Sequence, residues 1–332
     1  MKLNIKKSMA LALLVPVIMT GCQSGAANSP HNQVSTNNSY KIGISQLMEH
    51  PSLDQSREGF EDRLKELGIE AEIEYLNSQG EISNTQIIAE KFVKDKVDMI
   101  YAIATPPAQA AKQATKDTSI PVIFSAVTDP VFSQIVDGLD KIDNVTGLTN
   151  KVQSMEILKS AMDLKEDVKT IGIIYNIGES NSEIQVKEVT SAAEQLGMTV
   201  ETVGITSAND ISQAVNTLEK KIDMMYIVSD NTVASSIQLV ARLCIEKRII
   251  TVSVVESQIA DGILMVNGLN YYDHGKQAAD MAKAILVDKK DIKDVHVEKP
   301  AVLNKKVNLN TMEILGLTKD NKAFEGAEFI EQ

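Results

Sequence analysis

The side chains of this chain that could do chemistry are hydroxyls, amides and carboxylates, and each group of them follows a short apolar run. They are Gln46 and Glu49, Ala104-Thr105, Val127-Thr128, Asn176 with Glu179-Ser180-Asn181, Asp230-Asn231-Thr232, and Glu256-Ser257. No Lys or Arg stands among them, which disfavours phosphates and polyanions as ligands. Hydroxyls and amides at helix starts suit a single carboxylate, and an aspartate in the same cleft suits one ammonium. Together they fit an amino-acid zwitterion, with Asp230 as the ammonium partner and Thr105 as its counterpart from the other half. Thr105, Ser180 and Asp230 are also residue types that cap helices, and a cap at the mouth of a sheet faces the cleft, so the two roles are compatible.

Catalytic patterns are missing. The sequence has no G-x-G-x-x-G, phosphate-binding loop, G-x-S-x-G, H-E-x-x-H or C-x-x-C. His31, His50, His274 and His296 are scattered; His50, at the end of the first polar loop, suits a cleft wall and a helix cap equally. The expectation is a binding protein with no cofactor, no metal and no reaction.

The elements that must carry these groups repeat. Asp98-Met99-Ile100-Tyr101 returns as Asp223-Met224-Met225-Tyr226 at an offset of 125. Lys41-Ile42-Gly43-Ile44 matches Thr170-Ile171-Gly172-Ile173, Leu67-Gly68-Ile69 matches Leu196-Gly197-Met198, and Glu81-Ile82-Ser83 matches Asp210-Ile211-Ser212, all at 129. Shared strand composition explains the residue types but not the shared offset, so the chain is a duplication. Buried-strand runs alternate with helical patterns, which predicts two α/β lobes, each with a parallel sheet that delivers its polar groups from the strands' C-terminal ends. Residues 144–150 are expected to cross between lobes, and one helix is expected from the Asp230 cluster to residue 246.

The first residues have the pattern of an export leader. Lys2, Lys6 and Lys7 precede an apolar run over 9–19, too short to span a bilayer, and Thr20-Gly21 then precede Cys22. This order resembles a bacterial lipoprotein signal over residues 1–21, which implies a lipid on Cys22 and attachment to the outer face of the cell membrane. Residues 22–39, rich in Ser, Asn, Gly and Ala, read as a flexible tether. Cys22 and Cys244 are the chain's two cysteines; with Cys22 lipidated no intrachain disulfide remains, and Cys244 in its apolar stretch reads as core. Loss of Lys2, Lys6 and Lys7 with the leader takes the net charge of the 332-residue chain from −12 to −15. So acidic a chain is a poor nucleic-acid binder.

Several segments together resemble the substrate-binding lipoproteins of ABC importers in the tryptophan/tyrosine-binding family, which have the type I periplasmic-binding fold. They are Gly43-Ile44-Ser45-Gln46 with Glu49-His50-Pro51, residues 102–108, 126–130, 175–181 and 230–235, and Gly268 to Tyr272. The resemblance implies two Rossmann-like lobes joined by a three-segment hinge, an aromatic amino acid (tyrosine or tryptophan) as ligand, and a permease and an ATPase as partners of a monomer. It also implies that the helix after Tyr272 returns to the first lobe. Lobe 1 is then expected over 40–147 with about 272–303, and lobe 2 over 148–271 with about 304–332. The rival functions are a surface adhesin or a sensor co-receptor on the same fold.

Overall fold

The repeated aspartates start both sheets in the same way. In the computed structural model, which describes residues 39–165 and 168–331, Asp98 Oδ2 accepts the backbone N–H of Lys41 at 2.7 Å. Asp223 Oδ2 accepts those of Lys169 and Thr170 at 2.9 and 2.8 Å. Each bond ties the strand that follows the aspartate to the first strand of its half. The leader, Cys22 and the tether through residue 38 lie outside the described residues.

The first half runs β1 (Tyr40–Gln46), α1 (Pro51–Glu66), β2 (Ala71–Asn77), α2 (Ile82–Lys94), β3 (Met99–Ile103), α3 (Thr105–Thr115), β4 (Val122–Val127) and β5 (Val145–Thr149). Its five strands are all parallel, in the order β2-β1-β3-β4-β5. The second half runs α4 (Ser154–Met162), β6 (Thr170–Asn176), α5 (Ser180–Gln195), β7 (Thr199–Ile205), α6 (Ile211–Leu218), β8 (Met224–Ile227), α7 (Asn231–Ala234), α8 (Ile237–Glu246), β9 (Ile250–Val255) and β10 (Met265–Leu269). The chain ends with α9 (Tyr271–Leu286), β11 (Leu303–Asn308), α10 (Leu309–Ile314) and β12 (Glu328–Ile330). The second sheet is β12-β11-β10-β9-β8-β6-β7, parallel except where β11 runs against β10. Two mostly parallel sheets with alternating helices form the α/β architecture that the repeat requires.

Two segments differ from expectation. Residues 145–149 form a strand beside β4 before any crossing begins. Gly147, at φ 155°, makes this possible, because a Cβ there would stand 2.2 Å from the Phe124 carbonyl oxygen. The helix expected after Asp230 breaks into α7 and α8 around Ser235-Ser236, where Ser235 Oγ donates to the Thr232 carbonyl at 2.8 Å. A hydroxyl that bonds to a nearby carbonyl competes with helix continuation.

The repeat also shows in the core. Gly68 and Gly197 end α1 and α5 at φ 68° and 72°, where a Cβ would be strained. Tyr101 and Tyr226, the tyrosines of the repeated run, are fully buried. Tyr101 stacks on Phe60 with ring centroids 4.1 Å apart and bonds to Ser125 and Ser56 at 2.7 and 2.8 Å. Burial pushes its phenol up to about 12.

The chain passes between the sheets three times: from β5 to α4, from β10 to α9, and from residue 298, which bridges Leu148, to β11. Helix α9 therefore packs on α1 and the first sheet. Arg63 pairs with Asp280 at 2.9 Å, Lys276 with Glu66 at 2.9 Å, and Tyr272 Oη donates to Asp62 at 3.2 Å. These exposed pairs add little. The closeness comes from glycine: a Cβ at Gly59 would stand 2.0 Å from the Tyr272 carbonyl oxygen, and one at Gly275 would stand 2.0 Å from that of Ser56.

Candidate functional site

The C-terminal ends of the two sheets meet around a small cavity of about 20 Å³. The first half lines it with His50, Ser52 and Leu53 at the start of α1, Ala126 at the end of β4, and Asn150 after β5. The second half adds Asn181, Ser229, Asp230, Asn231, Ala234, Val255 and Tyr271. Ala126 holds φ at 56°, as Ala104 does at 91° before α3. Such values favour glycine, and non-glycine residues held there gather at functional sites.

Asp230 is buried and caps α7. Its Oδ1 accepts the N–H of Val233 at 2.8 Å, and its Oδ2 accepts that of Asn176 at 2.6 Å. Burial, then the neighbouring Glu179 carboxylate, push its carboxyl up to about 7, against the pull of those two amides. Glu179 serves the same helix start: Oε2 accepts the backbone and side-chain N–H of Asn231 at 2.9 and 2.6 Å. Its Oε1 accepts the N–H and hydroxyl of Thr232, both at 3.0 Å. Thus two carboxylates stand beside one four-residue helix, and the one in the cavity wall carries the raised pKa.

Of the residues singled out in the sequence, Asn181, Asp230 and Asn231 line the cavity. Glu179, Thr232 and Asn176 stand one hydrogen bond behind them, Asn176 Nδ2 donating to Thr232 Oγ1 at 2.7 Å. Ser257 reaches the cleft edge, 3.2 Å from Ser52 of the other half. Thr128 Oγ1 accepts from Gln185 Nε2 at 3.0 Å, another bond between halves. Gln46 is buried beside the site and donates to Asp54 at 2.7 Å. Ser180 is half-buried at the start of α5. Ala104, Thr105 and Val127 are buried but lie outside the cavity wall, so the first half presents no hydroxyl of Thr105 there. Glu49 is exposed. Glu256 turns to Lys306 and Asn304 of the C-terminal strand, 2.8 and 2.5 Å away. His50, whose place the sequence left open, is in the wall with Ser229, which opens the Asp230 cluster, and Ser52, Asn150 and Tyr271 join it without having been foreseen. Asn150 and Tyr271 sit at two of the crossings, where no strand-then-polar-cluster signal marks them; their side chains are 2.8 Å apart.

A second, wider groove of about 760 Å³ runs along the crossings, between Pro130, Phe132, Leu139, Val152 and Leu303. None of the buried polar atoms without a partner belongs to its walls. By contrast His50 Nδ1, Asn150 Oδ1 and Asn181 Oδ1, all in the wall of the smaller cavity, are such atoms. The polar chemistry is therefore in the smaller one.

A void of about 20 Å³ holds about one water-sized group, whereas small-molecule sites span about 300–1,000 Å³. The lobes must part before an amino acid enters. His50 Nε2 and Asn231 Oδ1, 3.2 Å apart, close the cavity from opposite halves.

Comparison with known proteins fits this geometry. Residues 41–328 match the family described as ABC transporter substrate binding protein. A tyrosine-binding protein of Clostridioides difficile is 35% identical, with 96% of each chain covered. A domain from Streptococcus pneumonia solved in complex with L-Trp has a TM-score of 0.82 at 30% identity, covering 88% of this chain and 100% of its own. A ligand-free, open substrate binding protein with adhesive properties from Clostridium difficile scores 0.68 at 36% identity, covering 88% and 99%. The fold is that of the type I periplasmic-binding proteins.

Proposed function

The chain belongs to the ABC transporter substrate-binding protein family, and from that premise we propose that it captures tyrosine or tryptophan between its lobes and delivers it to a permease. Proteins of this family act outside the cytoplasm and bind rather than transform their substrates. The observation that carries the proposal is the cavity itself: a buried aspartate and unpartnered acceptors suit an ammonium, with Leu53, Val255 and Tyr271 as apolar neighbours. Ligand joins the two halves and shifts the open–closed equilibrium. A thermal-shift screen against the twenty amino acids tests this. Tyrosine or tryptophan at a hundredfold excess over Kd should add about 2.7 kcal/mol to stability, and melting curves unmoved by tyrosine, tryptophan and phenylalanine would sink it. Because the chain has no Trp, indole emission would report tryptophan itself without protein background.

Residues 1–21 are proposed to be a leader and Cys22 the lipid-bearing first mature residue, on the order of basic, apolar and small residues before it. Cys22→Ala should accumulate as unprocessed precursor without fatty-acid label; label on that variant would refute the anchor. The proposed lobes are 40–149 with about 272–303, and 150–271 with about 304–332; the first border lies two residues later than expected because β5 runs to Thr149. Surface adhesion is the second reading, favoured by the adhesive relative of Clostridium difficile; binding of the lipid-free protein to host cells tests it.

A further inference from the structure

Hydrogen-bond accounting around the cavity fixes which ends of His50, Asn231 and Asn181 donate and which accept. Asn231 Nδ2 donates to Glu179 Oε2 at 2.6 Å, which leaves Oδ1 as the Asn231 atom facing His50 Nε2 at 3.2 Å. An amide oxygen only accepts, so the His50 proton is on Nε2 and Nδ1 carries a bare lone pair. Asn181 Nδ2 is 3.1 Å from Glu179 Oε2 and 3.0 Å from the Ser229 carbonyl. Both partners are acceptors, so the Asn181 amide is fixed too and its Oδ1 is the free end. Asn150 Nδ2 lies 2.8 Å from the Tyr271 hydroxyl, leaving Oδ1 free. All three side chains are more than nine-tenths buried, all three residues line one void of about 20 Å³, and each leaves an acceptor unpartnered.

An unpaired buried polar group costs about 1–3 kcal/mol, so three around one void call for a donor. A water molecule offers two O–H donors; an ammonium offers three N–H donors, in a group of similar size. We propose that His50 Nδ1, Asn150 Oδ1 and Asn181 Oδ1 form a neutral acceptor triad for the α-ammonium of the ligand, with Asp230 supplying the opposite charge from the same wall. Both Asp230 oxygens already accept backbone amides, so its part is mainly charge while the triad fixes direction. His50 comes from the first half, Asn181 from the second and Asn150 from the crossing between them, so the ammonium itself joins the lobes. The inference rests on the reading of this cavity as the amino-acid site.

Long-range proton–nitrogen NMR of the imidazoles tests it in the whole mature protein. Few histidines crowd the spectrum, and His50→Gln identifies the signals of His50 by their loss. The expected result is His50 protonated at Nε2 alone, with Nδ1 shifting toward the protonated range on saturation with L-tyrosine while no proton is transferred. A proton on Nδ1, or an Nδ1 signal that stays still once calorimetry shows saturation, overturns the triad and leaves the amino-acid reading intact. No heat with L-tyrosine, L-tryptophan or any other natural amino acid overturns both.

Discussion

Binding of tyrosine at pH 6.5 should release most of one proton, and at pH 8 almost none. Asp230, held at about 7 by burial and by Glu179, is largely protonated at the lower pH, and an arriving ammonium favours its anion. The bound state then holds fewer protons than the free one, so affinity rises with pH through this window, approaching about tenfold per unit below pH 7. Calorimetry in buffers of different ionisation enthalpy counts the proton. Asp230→Asn should abolish the release and weaken binding by about 2–5 kcal/mol; an unchanged proton count would show that Asp230 is not the titrating partner. The same group acts on stability with the opposite sense. Its folded pKa lies above the unfolded value of 3.8, so its contribution is fully present below pH 4 and is lost as pH rises through 7. Asn cannot accept both backbone amides that Asp230 accepts, from Asn176 and Val233, so the variant should also lose some ligand-free stability at acid pH. Above pH 7 that loss is offset by removal of the charge beside Glu179.

Gly275→Ala should lower stability by about 3 kcal/mol or more, a Tm drop of roughly 5–10 °C, although only a methyl group is added. That methyl would stand 2.0 Å from the Ser56 carbonyl oxygen, so α9 has to lift away from α1. Gly178→Ala, whose nearest neighbour is a side-chain atom at 3.3 Å, should stay within about 0.5 kcal/mol of the parent. Thermal melts of the two variants side by side decide the matter; equal midpoints would dispose of the close crossing.

Much of this molecule was legible because the duplication states its frame twice. The repeated Asp-Met-x-Tyr run and the paired Leu-Gly helix ends predicted where strands begin and helices stop, and Asp98 and Asp223 make matching bonds. The polar clusters after strands led to Asn181, Asp230 and Asn231. Elsewhere the same signal marked residues whose surroundings are set by tertiary packing: Glu256 is taken by Lys306 of β11, and Thr105 is buried outside the wall. Asn150 and Tyr271 were hidden for the converse reason. They reach the cavity from crossings, and nothing local in a sequence says which side of a hinge faces a partner lobe.

The position of α9 also sets an order of events during synthesis. The strands of the first sheet are complete at Thr149, but the helix that lies on α1, β4 and β5 does not begin until Tyr271. A growing chain therefore makes its first sheet early and leaves that face uncovered until almost all of the second half has emerged. Non-local closure of this kind is slow, and uncovered apolar surface invites association. For a chain threaded across a membrane before it folds, as the proposed leader would require, the delay keeps the first half open while it is still in transit. A ribosome product cut short after β10 would carry the first sheet whole and β6 to β10 of the second, without the helix that seals the first.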